Sequence, residues 1–384
     1  MERATKFGLL AVLCVASVLV WFVSAYAGGP APKPENVVEG PHPEHQTFNL
    51  GEVQLESGVV VKDFQLSFVT YGTLNAKKSN AILLPSFYAN NHHGYDFLIG
   101  RGLAFDTTKY FIVVIDLFGE GLSSSPSNTP PPFDGPNFPE ISIRDNVQAQ
   151  YRLVTEQFGI KQLVAVAGFS MGSQQTFQWA VSYPDFMNAI IPWCGNAKSY
   201  HHGNVRLEGF KRTIMVDPAY NGGAYTTPPE KGLRAAAVSS WAPWVVSQEW
   251  WRRELFKGPP FNHPNVEEHL RWWEAAFVSR DANDLIVTAT TWQKANVGWT
   301  LGFNGDHEKA LRSIKARVLF MPCHELYFPI GDAQYEAKFI RNVKLVPIPS
   351  LWGHIAGLGL DKADRDFLNR TITAFLKALP GRRG

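Results

Sequence analysis

The chain has 384 residues, with 36 Lys+Arg against 34 Asp+Glu for a net charge of +2, 45% hydrophobic residues and 18% charged ones. This balance excludes a disordered chain and argues against a nucleic-acid groove, since no Lys/Arg tract is present. Three cysteines exclude a disulfide-built scaffold, no C-x-x-C pair supports a structural zinc, and a surplus of 12 Trp asks for a purpose.

Residues 1–27 read as a segment apart. Arg3 and Lys6 precede an uncharged apolar run from Phe7 to Val23, and Ala25-Tyr26-Ala27 offers a small-x-small cleavage pattern. The reading is a signal peptide cleaved near Ala27, with a retained membrane anchor as the alternative. Both place the remainder outside the cytoplasm, periplasmic or secreted. Residues 28–45, rich in Gly and Pro, read as a linker.

From residue 46 the pattern alternates strand and helix. Segments 48–55 and 64–72 alternate apolar and polar residues, as half-exposed antiparallel strands do. Segments 81–84, 110–115, 163–166 and 189–191 are continuous apolar runs, the mark of strands buried on both faces. Helices are predicted over 143–158, closed by Gly159, and over 171–182. Residues 200–315 lack a clear buried strand and hold helix-like stretches between Pro and Gly. Strands resume at 317–320 and 343–346, and a helix over 361–379 ends the chain. The economical fold is a mostly parallel eight-stranded α/β sheet, helices on both faces, with core at 46–199 and 316–384 and a helical lid at 200–315. Cys194 and Cys323 each close a predicted strand; a disulfide between neighbouring strands and a pair of buried thiols both fit.

Gly168-Phe169-Ser170-Met171-Gly172 matches G-x-S-x-G at the end of a buried strand and the start of a helix. In that context the pentapeptide reads as a nucleophile elbow rather than a helix N-cap. The glycines allow a tight turn that lifts the Ser170 hydroxyl clear of the sheet. His354, after the last predicted strand, is the base, in the chain order Ser, acid, His. Glu325 follows strand 317–320 and is the acid that would orient the imidazole, with Asp332 its competitor and His324 a neighbour. An oxyanion hole needs two backbone donors; Met171 supplies one and Phe87, after strand 81–84, the other. Tyr88, Phe169 and Trp352 are candidates for substrate contact. The pairs His92-His93 and His201-His202 do not have metal-ligand spacing, so no metal and no cofactor are expected.

With these residues in view, the sequence resembles the homoserine O-acetyltransferase branch of the α/β-hydrolase superfamily, from about Phe48 to Phe375. The resemblance is carried by Val69-Thr70-Tyr71-Gly72-Thr73-Leu74-Asn75, Leu98-Ile99-Gly100 with Phe105-Asp106-Thr107, the Ser170 pentapeptide, Asp217-Pro218, Gly223-Ala224-Tyr225, Gly232-Leu233, Asp281-Ala282-Asn283 and Glu325 to Pro329. It implies the α/β-hydrolase fold, a Ser–His–acid triad, an acyl-enzyme intermediate, a helical lid and a homodimer through that lid. Four positions depart from the branch. Glu325 stands where Asp is usual, Phe169 and Ser173 replace glycines, and Ala237 stands where an arginine suits the substrate carboxylate. Arg234, one helical turn away, is the candidate replacement.

An exported chain meets no supply of acyl-CoA, and the missing arginine weakens homoserine as a substrate. Ester hydrolysis on a small molecule is therefore the first reading, acyl transfer from acyl-CoA the second, and a silent binding module the third. Eight tryptophans fall in the insert: Trp241, Trp244, Trp250, Trp251, Trp272, Trp273, Trp292 and Trp299. Adjacent pairs diverge by about 100° on a helix, so some indole should line the cleft over Ser170.

Overall fold

A computed structural model describes residues 43–324 and 326–379. The expected signal peptide, most of the linker and Glu325 lie outside the described residues.

The first strand expected from alternation is broken in two. β1 (Gln46–Asn49) ends before Gly51, whose φ is +63°, and β2 (Val53–Gln54) then pairs with β3 (Val60–Val61) in a separate hairpin. A left-handed glycine re-aims the chain at a point where hydropathy alone reads as continuous strand. β4 (Gln65–Tyr71), β5 (Ala81–Pro85), β6 (Phe111–Ile115), β7 (Leu163–Phe169), β8 (Met187–Trp193), β9 (Arg317–Phe320) and β10 (Val343–Leu345) complete the main sheet. Its order is β1-β4-β6-β5-β7-β8-β9-β10, eight strands. β1–β4 and β4–β6 pair antiparallel, and every other pairing is parallel. The all-apolar β5 and β6 are wholly buried near the centre, as a sheet covered on both faces requires.

α1 (Ile143–Arg152) starts with a capping box, in which Ser142 and Asp145 satisfy each other's amides. The helix expected to reach Phe158 remains α-helical only to Arg152, and a π-helical turn then carries Leu153–Gln157 to Gly159. α2 (Met171–Ser182) packs between β7 and β8 and is buried at nearly every position. Between β8 and β9 the chain is helical: α3 (His201–Met215), α4 (Glu230–Ser240), α5 (Gln248–Arg252), α6 (Val266–Val278), α7 (Ala282–Gln293) and α8 (His307–Arg312). α9 (Ile330–Ala337) precedes β10, and α10 (Lys362–Lys377), capped by Asp361, closes the fold. This is the α/β-hydrolase arrangement: a mostly parallel sheet with an all-helical insertion before its last two strands.

β8 and β9 are neighbours, as the disulfide alternative requires, but among the described residues no disulfide joins Cys194 to Cys323. Trp193 bridges Met321, the Cys194 amide donates to the Met321 carbonyl at 3.0 Å, and both Cys194 and Cys323 are buried.

Candidate active site

In parallel α/β sheets the carboxyl ends of the strands, not their faces, are open to ligands. The candidate residues converge at that edge. Ser170 joins β7 to α2 with φ 55° and ψ −120°, a backbone region that a non-glycine residue holds only when its surroundings enforce it. The enforcement is visible in the glycines. A Cβ on Gly168 would collide with the Gly172 carbonyl and lie 2.8 Å from Thr176 Oγ1. One on Gly172 would lie 2.6 Å from both the Pro85 carbonyl and Tyr95 Oη. The Ser170 N–H is held by the Trp193 carbonyl at 2.9 Å. Met171 opens α2, so its N–H is one of the helix's first four, which have no intrahelical acceptor.

His354 arrives from the segment after β10, where Gly353 has φ +55°. Its amide donates to the Val245 carbonyl of the insert at 2.7 Å, and the Ser247 hydroxyl donates to Leu351 at 2.7 Å. The insert therefore clamps the loop that carries the imidazole. His354 Nε2 lies 2.9 Å from Ser170 Oγ, with both residues buried. Phe169, Tyr327 and Phe328 surround the ring at centroid distances of 4.6, 4.8 and 6.0 Å. Burial, and then the cation of Arg206, hold the His354 pKa well below its ordinary value, so at neutral pH the ring is an uncharged acceptor.

Above the pair is a small cavity of about 30 Å³ lined by Phe87, Tyr88, Ala89, Phe169, Trp241 and Trp273, among other apolar side chains, with Ser170 and His354 at its floor. Phe87 and Phe169 meet edge to face at 4.7 Å. Tyr88 stacks on Trp241 at 5.1 Å, and Trp241 in turn covers the buried Arg206, whose guanidinium also lies 4.0 Å from the Tyr327 ring. The tryptophan surplus has a place: Trp241 and Trp273 wall the cavity, and Trp250, Trp251, Trp272 and Trp352 pack with Phe256, Phe261 and His269 behind it.

Two expected substrate contacts are placed elsewhere. Arg234 is exposed and pairs with Glu230 and Glu274, so it does not take over the missing arginine's role at the cavity. On α4 its side chain leaves the helix toward solvent, whereas Ala236 and Ala237 face inward. Trp352 is buried against Trp250 and Phe261, one layer behind the cavity wall. Asp332 lies on the first turn of α9, with Glu336, Lys198 and His202 as its charged surroundings. Among the described residues no group of three or more His, Cys, Asp or Glu could hold a metal ion.

Sequence reasoning passed over Glu120, whose carboxyl accepts the Ala89 N–H at 2.9 Å, and Arg206 behind the wall. A signal for Glu120 was available: it stands in Gly119-Glu120-Gly121, directly beyond the carboxyl end of a buried strand.

The fold defines an α/β-hydrolase frame, and comparison with known proteins places the chain within it. Residues 81–212 match the alpha/beta hydrolase fold family. The chain is 35% identical over 350 residues to an ethyl acetate hydrolase of Pseudomonas veronii, covering 88% of this chain and 97% of that protein. It is 33% identical over 360 residues to a homoserine O-acetyltransferase of Leptospira biflexa, covering 85% and 93%. The crystal structure of an acetylester hydrolase from Corynebacterium glutamicum superimposes with a TM-score of 0.84 at 34% identity, covering 87% of this chain and 96% of that one. The chain belongs to the α/β-hydrolase superfamily, in the branch that holds both esterases and homoserine O-acetyltransferases.

Proposed function

We propose that this ester-cleaving α/β-hydrolase is an exported serine esterase that hydrolyses small, uncharged carboxylic esters through an acyl-enzyme on Ser170. The observation that carries this reading is the 2.9 Å contact between Ser170 Oγ, on its strained turn, and the neutral His354 Nε2 under an apolar roof. His354 takes the hydroxyl proton as Ser170 Oγ attacks the ester carbonyl. The developing oxyanion is received by the Met171 and Phe87 amides. The alcohol departs with the proton held on Nε2, and water then repeats the sequence against the acyl-serine. Glu325 is the acid of the triad in this reading, the partner that would stabilise the imidazolium as it forms. The small cavity supports a short acyl group, and among the described residues no Lys or Arg lines it, which disfavours a carboxylate-bearing acceptor such as homoserine. Residues 1–27 supply the export signal. Transfer to an alcohol is the second reading, supported by the Leptospira relative.

The test is turnover of 4-nitrophenyl acetate by the purified chain. Ser170→Ala should reduce it by roughly four orders of magnitude or more while the melting temperature stays close to wild type. Wild-type turnover in that variant would remove Ser170 from the mechanism. Incubation with acetyl-CoA and homoserine should release no thiol beyond the background; release with O-acetyl product would establish the transferase instead.

A further inference from the structure

The loop after β5 lines the cavity over Ser170 through Phe87, Tyr88 and Ala89, and it is held from two sides. On one side Tyr88 Oη donates to the Leu285 carbonyl of α7 at 3.1 Å, and its ring stacks on Trp241. On the other, the Ala89 N–H donates to Glu120 Oε1 at 2.9 Å. Ala89 lines the cavity with φ +55°, a left-handed conformation that is strained for a non-glycine residue and persists only where neighbours enforce it. Glu120 comes from the loop after β6, and its side chain is 3% exposed. Arg280, between α6 and α7, lies 4.0 Å from Glu120 Oε2 and is itself largely buried.

A buried carboxyl is costly when a neutral acceptor could hold one amide, so its placement here asks for a role. We propose that Glu120 is a positioning residue of the hydrolytic reaction: its carboxyl, seated by Arg280 of the helical insert, fixes the Ala89 amide and so the register of residues 87–89 toward the ester carbonyl. The inference rests on the Ser170 reading above. It links the seating of the insert to the geometry of the oxyanion loop, because the two residues of the pair come from the core and from the insert.

The groups facing Glu120 are Arg280, the Ala89 amide, Asp284, the Thr288 hydroxyl and Tyr88. Burial raises its pKa, Arg280 and the amide lower it, and Asp284 raises it, leaving the carboxyl pushed up to about 8. Above that pH the ionised form accepts the Ala89 N–H more strongly than the neutral acid does. Turnover through this contact should therefore rise as pH increases through about 8.

The experiment measures kcat and KM for 4-nitrophenyl acetate from pH 6 to 10 in wild type, Glu120→Ala and Glu120→Gln, with active sites counted by a fluorophosphonate. Glu120→Ala should lower kcat per counted site roughly 10- to 100-fold, the scale of a misplaced catalytic contact, and leave KM within about threefold. Glu120→Gln keeps an acceptor oxygen, so it should recover most of kcat and flatten the rise near pH 8. The proposal is overturned if Glu120→Ala retains kcat per site within about twofold, or if Glu120→Gln recovers nothing. Should Glu120→Ala fail to fold, an unchanged rise near pH 8 in Glu120→Gln overturns it equally. Ser170→Ala assayed in parallel separates the two claims: turnover surviving there sinks the nucleophile, whereas an inactive Ser170→Ala beside a normal Glu120→Ala sinks only the positioning role.

Discussion

Ser170 is held by what its neighbours lack. Three close approaches meet at the turn: Gly168 against Gly172 and Thr176, Gly172 against Pro85 and Tyr95, and Gly195 against the Ser170 carbonyl and Ser173 Cβ. The first two glycines belong to the pentapeptide and are readable as a motif. Gly195 is not, because its reason is a neighbouring strand end met only after β7 and β8 pair. Replacing Gly195 with Ala should cost roughly 1–3 kcal/mol and lower turnover, since a methyl there forces the nucleophile turn to move. Gly209→Ala serves as the control, because nothing lies within 4 Å of a Cβ there. Urea denaturation midpoints and ester assays check both; equal midpoints for Gly195→Ala and wild type would contradict the packing argument.

At the scale of elements, the roof of the cavity belongs to the insert. Trp241, Val245, Trp273 and Phe277 all come from the helical stretch between β8 and β9, while Ser170 and His354 come from the sheet edge. Trp272 and Trp273 show how adjacent indoles divide the work. Trp272 packs on Phe261 and His269, and Trp273 meets Phe277 and the cavity. Helical periodicity predicted this divergence, but not which partner of the pair would face the nucleophile. Trp273→Ala should open room for a longer acyl chain and shift the kcat/KM ratio of 4-nitrophenyl butyrate over acetate upward by about tenfold or more, the scale set by a methylene or two in an apolar pocket. Trp251→Ala, one layer back, should leave that ratio near wild type. An unchanged ratio in Trp273→Ala would place the acyl group elsewhere.

At the scale of the molecule, pH acts on stability through buried imidazoles as well as on catalysis. Trp273 Nε1 donates to His269 Nε2 at 3.2 Å, so His269 presents Nδ1–H to His263 Nδ1 at 2.9 Å. Burial, with His263 adding to it, lowers the His269 pKa to about 3. The unfolded chain binds a proton there near pH 6.5, and the folded chain does not until far lower. Stability from this group is therefore complete above about pH 6.5 and falls as pH drops toward 3, by up to about 1.4 kcal/mol per unit. Urea midpoints at pH 7, 6 and 5 should decline in wild type, and His269→Phe should decline less steeply. Parallel slopes would show that other groups govern the acid limb.

The sheet, the order of its elements and the meeting of Ser170 with His354 were legible in the sequence because they rest on local signals: buried apolar runs, a glycine-bracketed serine and the chain order of the parts. The break after β1 was not, because the left-handed backbone of Gly51 decided it, and neither was the π-helical turn after Arg152, which apolar periodicity does not separate from α-helix. Nor was the direction of Arg234, since one position along a helix separates a side chain in solvent from one in the core. Sequence by itself determined that this chain builds an α/β-hydrolase frame with Ser170 at the turn from β7 to α2. Only the tertiary structure decided what surrounds the serine, because Trp241, Trp273, Glu120 and Arg280 are distant in the chain and acquire their roles only through the seating of the insert on the sheet edge.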